Sequence, residues 1–261
     1  MAELENPYQP PASHVADVLG ESSGDCVYIE GGRTVASSRG WAWIREGYGY
    51  FRRQAGMWVV LAFIFFALLV GLQFVPIIGG LAFSVLMPVF VGGLMTGCQT
   101  IERGGELELA HLFEGFRRNP LQLALIAVIG GVLGLIAMLP VFVVSGMGFM
   151  AMPTGSPTAM VAFGLGTLVA GLVSLALLIP INMAVLFAPS LVMLENQSAL
   201  RAITQSFRGC LKNIVPFLIY GAILFVLAII ASIPFGLGWL VLLPVVICSV
   251  YAAYRDIFFQ H

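Results

Sequence analysis

The sequence of 261 residues has few charged side chains and several long stretches with none. Only 10% of its residues are Asp, Glu, Lys or Arg and 59% are hydrophobic, whereas soluble domains carry about 25% charged residues. Its mean hydropathy is +0.98. A water-soluble fold could not cover so much apolar surface, so we expect lipid to be the solvent. The net charge of −1 provides no attraction to nucleic acid, and we expect no nucleic-acid partner.

The residue groupings that mark metal or catalytic centres are also missing. The four cysteines, Cys26, Cys98, Cys210 and Cys248, lack metal-ligand spacing. We expect them to be free thiols near the reducing side of the membrane. No serine has a nearby histidine partner, so nucleophilic catalysis has no support. These observations predict a protein without cofactor, metal site or enzymatic activity.

Six apolar stretches are long enough to cross a bilayer, which needs roughly 20 residues per helix. They comprise residues 55–75, 78–100, 121–145, 158–194, 214–234 and 237–254. Backbone polar groups in lipid must be hydrogen-bonded within the segment, so these stretches predict helices and an all-α polytopic membrane protein. The polar first fifty residues contain no short apolar leader, so we expect the first span to be an uncleaved anchor.

The fourth stretch is longer than one crossing requires. Two crossings would place Arg201 among the outer connections, so we expect a single crossing. Its early part, from Thr158 to about Gly171, would then be interfacial, re-entrant or tilted. Pro180 and Pro189 predict kinks.

The positive charges occur only on alternate connections between the spans. The complete set is Arg33, Arg39, Arg45, Arg52, Arg53, Arg103, Arg117, Arg118, Arg201, Arg208, Lys212 and Arg255. Cytoplasmic loops collect Lys and Arg. The pattern therefore predicts a multi-pass protein of the bacterial inner membrane with both termini in the cytoplasm.

A threefold internal repeat is visible at about residues 40–105, 106–197 and 198–258. Each unit has an amphipathic segment, a span, a short outer connection and a second span with a proline near its start. The corresponding positions are Tyr48, Phe116 and Phe207 in the amphipathic segments, Pro88, Pro180 and Pro244 in the second spans, and Glu102, Glu195 and Asp256 at their ends. Since each unit has two spans, all three would enter from the same side as parallel hairpins.

The amphipathic segments place apolar residues on one helical face and arginines on the other. Such helices lie among lipid headgroups, with aromatic side chains at the interface and Arg near anionic lipid. Topological anchoring is the simpler interpretation, and a specific lipid or partner site is the alternative. The predicted lipid-facing or partner-facing residues are Trp41, Arg45, Arg52, Arg53, Phe116, Arg117, Arg118, Phe207 and Arg208.

The spans contain no charged residue at mid-depth, which argues against a proton-coupled transporter. Asn182, two residues after Pro180, is the deepest strong hydrogen-bonding side chain. It would satisfy backbone groups freed by the proline or bind a neighbouring helix, or else contact a substrate. Glu106, Glu108 and His111 share one connection, where acid–base chemistry is conceivable. Solvated ion pairs on a surface helix are the favoured interpretation.

Residues 1–38 form the predicted cytoplasmic tail, and residues 39–261 form the transmembrane domain. Residues 1–25 are rich in Pro, Ser, Glu and Asp, which predicts disorder. Residues 26–29 and 34–36 flank a Glu-Gly-Gly-Arg sequence, which predicts a small β-hairpin.

The order of residues before each hairpin, Gly-aromatic, then Arg-Arg, then Pro, resembles uncharacterised bacterial inner-membrane protein families with repeated helical hairpins. It is similar to the membrane domain that accompanies some glycerophosphodiester phosphodiesterases. The sequence Asn-Pro-Tyr-Gln-Pro-Pro at residues 6–11 also resembles the tail of many small proteobacterial membrane proteins. The resemblance covers about residues 33–258 and implies a location more than an activity, since no phosphodiesterase domain is present.

Taken together, these features predict a non-enzymatic inner-membrane protein that binds or organises membrane lipid, a protein partner or a second copy of itself. A small-molecule or lipid transporter with a path between the repeats near Asn182 is the alternative. A continuous polar cavity past Asn182 would favour transport, whereas a solid apolar bundle would favour an interaction role.

Overall fold

A computed structural model describes residues 27–75, 78–151 and 157–260. The helices in this part of the chain are α1 (Arg39–Arg53), α2 (Ala55–Gln73), α3 (Ile78–Glu102), α4 (Ala110–Arg118), α5 (Pro120–Ala151), α6 (Pro157–Leu186), α7 (Ala188–Leu194), α8 (Ala199–Lys212), α9 (Ile214–Ser232) and α10 (Trp239–Phe258). Two short strands, β1 (Val27–Tyr28) and β2 (Phe259–Gln260), pair with each other. The all-α prediction is confirmed.

Six helical segments in the described ranges are long and apolar enough to cross a membrane. They are Ala55–Gln73, Gly79–Glu102, Pro120–Gly148, Met160–Leu194, Ile214–Ser232 and Trp239–Phe258. They coincide with the six predicted stretches to within a few residues, which confirms the prediction of about six transmembrane helices. The agreement follows from the lack of charge over about 20 residues in each stretch.

The long fourth stretch is a helix with one break near its end. α6 runs without interruption through Pro180 and packs along α5, so its early part forms no re-entrant loop. The break falls at Phe187, which places Pro189 in the first turn of α7, where a helix needs no amide hydrogen. With 32 and 30 residues, α5 and α6 are about 48 and 45 Å long.

The packed core lies at one end of the bundle, where α1, α4 and α8 meet the ends of α3, α7 and α10. We call this the basic end, because every Lys and Arg of the described residues belongs to its helices and connections. Fully buried side chains there include Trp43, Leu112, Phe187, Tyr251 and Tyr254. The described cysteines are free and buried, as expected.

The three short helices of the basic end pack against spans in a cyclic order. α1 packs against α10, α4 against α3, and α8 against α6 and α7. The approach is close: a Cβ atom at Gly47 would lie 2.6 Å from the Ser249 nitrogen, and one at Gly115 would lie 2.2 Å from the Val89 oxygen. The threefold repeat stays a prediction, but each short helix contacts a span from a different predicted unit.

The predicted hairpin of residues 26–36 is wrong. Val27 and Tyr28 pair antiparallel with Gln260 and Phe259, and residues 34–36 form no strand. The backbone nitrogens of Ile29 and Arg33 donate to carbonyls at the end of α10. The last carbonyls of a helix lack partners within that helix, so α10 offers this segment acceptors that a local hairpin would not. The predicted disordered segment, residues 1–25, lies outside the described residues.

Candidate functional site

A cavity of about 840 Å³ lies between α6 and the layer formed by α3, α9 and α10. Its walls come mainly from residues 87–95 of α3, 175–186 of α6 and 239–250 of α10. Phe65, Pro189, Cys210, Phe217 and Gly221 complete the lining. The cavity therefore extends over 12 residues of α6, or roughly 16 Å along the helix axis.

The cavity exists because α6 stands away from the central helices. α6 makes most of its contacts with α5 and α8, and within the described ranges no extensive interface joins it to α3, α9 or α10. α8 holds the end of α6 through Ser206, whose hydroxyl donates to the Met183 carbonyl at 2.7 Å and accepts from the Phe187 amide at 3.0 Å. α6 is therefore held by α8 at its basic end and is separated from the central helices farther along its length. The cavity is the space that this separation leaves.

The lining is apolar except for the Asn182 amide, the Trp239 indole nitrogen and the Cys210 thiol. No residue that lines the cavity is Asp, Glu, Lys, Arg or His, and Asn182 is exposed to the space. Its Nδ2 donates to the Leu178 carbonyl at 2.9 Å. The carbonyl that Pro180 leaves without a helical donor is that of Ala176, because proline has no amide hydrogen. Among the described residues, Asn182 thus binds neither the group that the proline frees nor a neighbouring helix, contrary to the predicted structural role.

A second feature is a buried carboxylate in the last turn of α10. Asp256 accepts hydrogen bonds from Arg33 at 2.9 Å, Arg39 at 2.5 Å and the Trp43 indole at 2.9 Å. Burial by itself lowers the pKa of the Arg39 guanidinium, but the Asp256 carboxylate outweighs it and the pKa is raised. This network fixes the segment before α1 to the end of the chain.

The other two acids at the ends of the predicted second spans also accept from aromatic residues. Glu102 accepts from the Tyr251 hydroxyl at 2.5 Å and from Tyr50 at 3.4 Å, and Glu195 accepts from Tyr254 at 2.8 Å. Burial and then the charge of Glu102 raise the pKa of Tyr50, so that phenol stays a neutral donor. The sequence marked these acids as repeated positions, but it did not identify their partners.

The predicted surface residues lie on three separate helices and do not converge on one pocket. Trp41, Arg45, Arg52, Arg53, Phe116, Arg117, Arg118 and Arg208 are exposed, and Phe207 is half-buried. Arg52 and Arg53 lie over the rings of Tyr48 and Tyr50 at 5.9 and 5.4 Å. α1 buries Trp43, Ile44 and Phe51 on its inner face, whereas Trp41 on its opposite face is exposed.

A polar pocket of about 480 Å³ lies on α4, with Glu108, His111, Glu114, Arg117 and Arg118 in its lining. His111 Nε2 lies 3.2 Å from the Thr100 hydroxyl, and its Nδ1 accepts from the Glu108 amide at 3.0 Å. Both ring nitrogens therefore have local partners. Glu106 does not line this pocket, and the described ranges contain no group of three or more His, Cys, Asp or Glu side chains that could hold a metal ion.

The fold and the apolar spans define a polytopic integral membrane protein. Residues 42–256 match the family described as a domain of unknown function, DUF7847, and the chain belongs to that family. A Burkholderia thailandensis protein named as a probable inner membrane protein is 28% identical over 257 residues, which cover 86% of this chain and 92% of the relative. No solved structure matches the chain.

These matches confirm the expectation of an uncharacterised bacterial membrane-protein family. The resemblance to the domain beside glycerophosphodiester phosphodiesterases is addressed by neither match and stays a prediction.

Proposed function

We propose that this chain is a non-enzymatic inner-membrane protein that binds lipid in the apolar cavity beside α6. The supporting observation is the cavity itself, whose volume of about 840 Å³ falls in the range of roughly 300–1,000 Å³ typical of ligand pockets. Water inside it would find few hydrogen-bond partners. A hydrocarbon chain matches both the lining and the surrounding solvent.

The proposed orientation places both termini and the basic end in the cytoplasm of a bacterium. The Lys and Arg residues of the described chain support it, because cytoplasmic connections collect positive charge. The inner-membrane assignment is supported by the name of the Burkholderia relative. In this orientation the exposed aromatic and Arg side chains of α1, α4 and α8 would organise headgroups of the inner leaflet.

Transport is the second candidate, and the separation of α6 from the central helices favours it. A path for a polar solute would need polar walls, and this lining is apolar. The transport hypothesis is therefore restricted to lipid, which would leave the bilayer between α6 and the layer of α3, α9 and α10.

A protein partner or a second copy is an alternative use of the α5–α6 hairpin. Even at a tilt of about 40°, α5 would span about 37 Å, which exceeds the roughly 30 Å hydrocarbon core. Large side chains along both helices, including Phe142, Val143, Val161 and Leu165, are exposed. Apolar surface beyond the core would favour association.

The direct test is lipid analysis of the protein purified in native membrane particles. Gly221 lines the cavity and has no atom near the place of an added Cβ, so Gly221→Leu fills the space without a clash. We expect this variant to retain less lipid per protein than the wild type, as measured by mass spectrometry. Gly131→Leu is the matched control, because Gly131 also faces open space but does not line the cavity. Equal retention by both variants would contradict the proposal.

A further inference from the structure

We propose that the exposed face of α1 is a binding surface for anionic phospholipid. The guanidinium groups of Arg45 and Arg52 bind phosphate oxygens, and the rings of Trp41 and Tyr48 cover the first part of the acyl chains. The inference rests on the proposed function only in taking the basic end as the end that meets lipid headgroups. It names one helix and one charge class of lipid, and it does not depend on the cavity beside α6.

The surface is a single stripe of two aromatic and two basic side chains along α1. Its members, at spacings of four, three and four residues, are Trp41, Arg45, Tyr48 and Arg52. This spacing places them on one side of a helix. All four are exposed, and the two rings keep 55% and 48% of their surface accessible. Rings beside cations match a boundary that has acyl chains on one side and phosphates on the other.

The position of α1 in the fold places this stripe where spans enter the bilayer. Its first turn packs on the start of α9, since a Cβ atom at Gly40 would overlap the Pro216 carbonyl oxygen. Its last turn leads directly into the span that begins at Ala55. Between these ends it contacts the last turns of α10, from Ser249 to Asp256. Headgroups lie at this level, and Trp and Tyr are enriched there.

The positive charge of the stripe is not neutralised within the described residues. Neither Arg45 nor Arg52 forms an ion pair there, and Arg52 lies over the ring of Tyr48 at 5.9 Å. The acid of α1, Glu46, pairs with Arg39 at 3.0 Å. A zwitterionic headgroup carries its own cation, whereas an anionic headgroup offers a phosphate that lacks one. The stripe therefore selects anionic lipid.

The other two short helices present less free charge. On α4, Arg118 pairs with Glu114 at 3.4 Å. On α8, Arg201 pairs with Glu30 at 3.0 Å. The stripe of α1 differs because it contains two cations and no acid. These cations are seven residues apart, or about 10 Å along the helix axis, so both can contact headgroups at once.

The test uses Trp41 as a fluorescent reporter of bound acyl chains. The purified full chain in neutral detergent is titrated with chain-brominated phosphatidylglycerol or with phosphatidylcholine that carries the same brominated chains. Bromine quenches nearby indoles, and the difference between wild type and Trp41→Phe isolates the Trp41 contribution. The test variant combines Arg45→Gln with Arg52→Gln. The matched control combines Arg103→Gln with Arg201→Gln, which removes the same charge from exposed residues outside α1.

We expect phosphatidylglycerol to quench Trp41 at about tenfold lower concentration than phosphatidylcholine does, because each arginine is attracted to an anionic surface. High salt should reduce this preference, since the charges are exposed to solvent. The test variant should bind both lipids equally, whereas the control should keep the preference. Gly221→Leu should leave Trp41 quenching unchanged, because Trp41 does not line the cavity.

Three results would overturn the inference. The first is equal quenching of the wild type by both lipids. The second is a preference that survives in the test variant or is lost equally in the control, which would show that the stripe does not select the lipid. The third is displacement of phosphatidylglycerol by an equal concentration of glycerol phosphate, which would make a free phosphate the ligand. None of these results bears on lipid retention in the cavity, which the Gly221→Leu comparison decides separately.

Discussion

The α5–α6 hairpin differs from the other two hairpins although all three begin with a short helix at the basic end. In the first and third predicted units the second span is central. In the most apolar 18-residue stretch of each span, 56% of the residues of α3 and 67% of those of α10 are buried. The corresponding value for the α6–α7 span is 11%. α5 has 32 residues, whereas α2 and α9 have 19 each. One hairpin is therefore longer and less enclosed than its two counterparts.

The difference arises from where each second span meets its neighbours. α3 and α10 contact each other inside the bundle, where the sulfurs of Cys98 and Cys248 lie 3.7 Å apart and Tyr251 binds Glu102. In the middle unit the helix breaks at Phe187, and the buried α7 makes the equivalent contact at the basic end. The outer part of α6 is thus free of the core, and the cavity is the result. We therefore assign most of the stability to the packed basic end, and the proposed lipid binding to the cavity beside α6.

The largest change in stability should come from replacing the Asp256 carboxylate at the basic end. We expect Asp256→Asn to lower the free energy of unfolding by about 3 kcal/mol, because it removes the charged acceptor of the half-buried Arg39 guanidinium and of the buried Trp43 indole. Denaturant unfolding followed by circular dichroism measures it. Glu30→Gln is the control, since Glu30 pairs with Arg201 on an exposed surface, where such pairs contribute about 0–1 kcal/mol. Equal effects would refute the assignment of stability to the basic end.

The next largest change in stability should come from Gly115, where α4 lies close to α3. We expect Gly115→Ala to destabilise the protein by about 2 kcal/mol, because its Cβ would lie 2.2 Å from the Val89 carbonyl oxygen and the helices must separate. Gly134→Ala on α5, where nothing lies within 4 Å, should change stability by less than about 0.5 kcal/mol. A destabilised Gly134→Ala would mean that the outer hairpin is packed after all.

The smallest effect is a change of chemical reactivity without a change of fold. Cys210 lines the cavity, and burial raises its pKa to about 12. Since the thiolate is the reactive form, maleimide labelling of Cys210 should be very slow at pH 7 and should increase about tenfold per pH unit toward the pKa. The measurement uses a variant with Cys26, Cys98 and Cys248 replaced by serine, analysed by intact mass. Rapid labelling at pH 7 would show that the cavity is open to water at this point.

Sequence reasoning located the spans, the basic end and the acids that terminate the second spans, because each depends on residues that are close together in the chain. It missed the pairing of Val27–Tyr28 with Phe259–Gln260, because the turn-forming residues 30–33 predicted that this segment pairs locally. It also missed the partners of Asp256, of which Trp43 is 213 residues away. It selected Asn182, whose amide donates to the Leu178 carbonyl of its own helix rather than to the carbonyl that Pro180 frees.

Hydrophobic stretches and the distribution of arginine determined by themselves that this protein is a helical membrane protein with one basic end. Transfer of apolar side chains into lipid is a local property, and it sums along about 20 consecutive residues. Only the tertiary structure decided that α3 and α10 form the core, that α6 stands apart from it and that a cavity lies between them. Helix association in lipid depends on surface fit and on a few polar contacts rather than on hydrophobicity, and these match residues far apart in the chain.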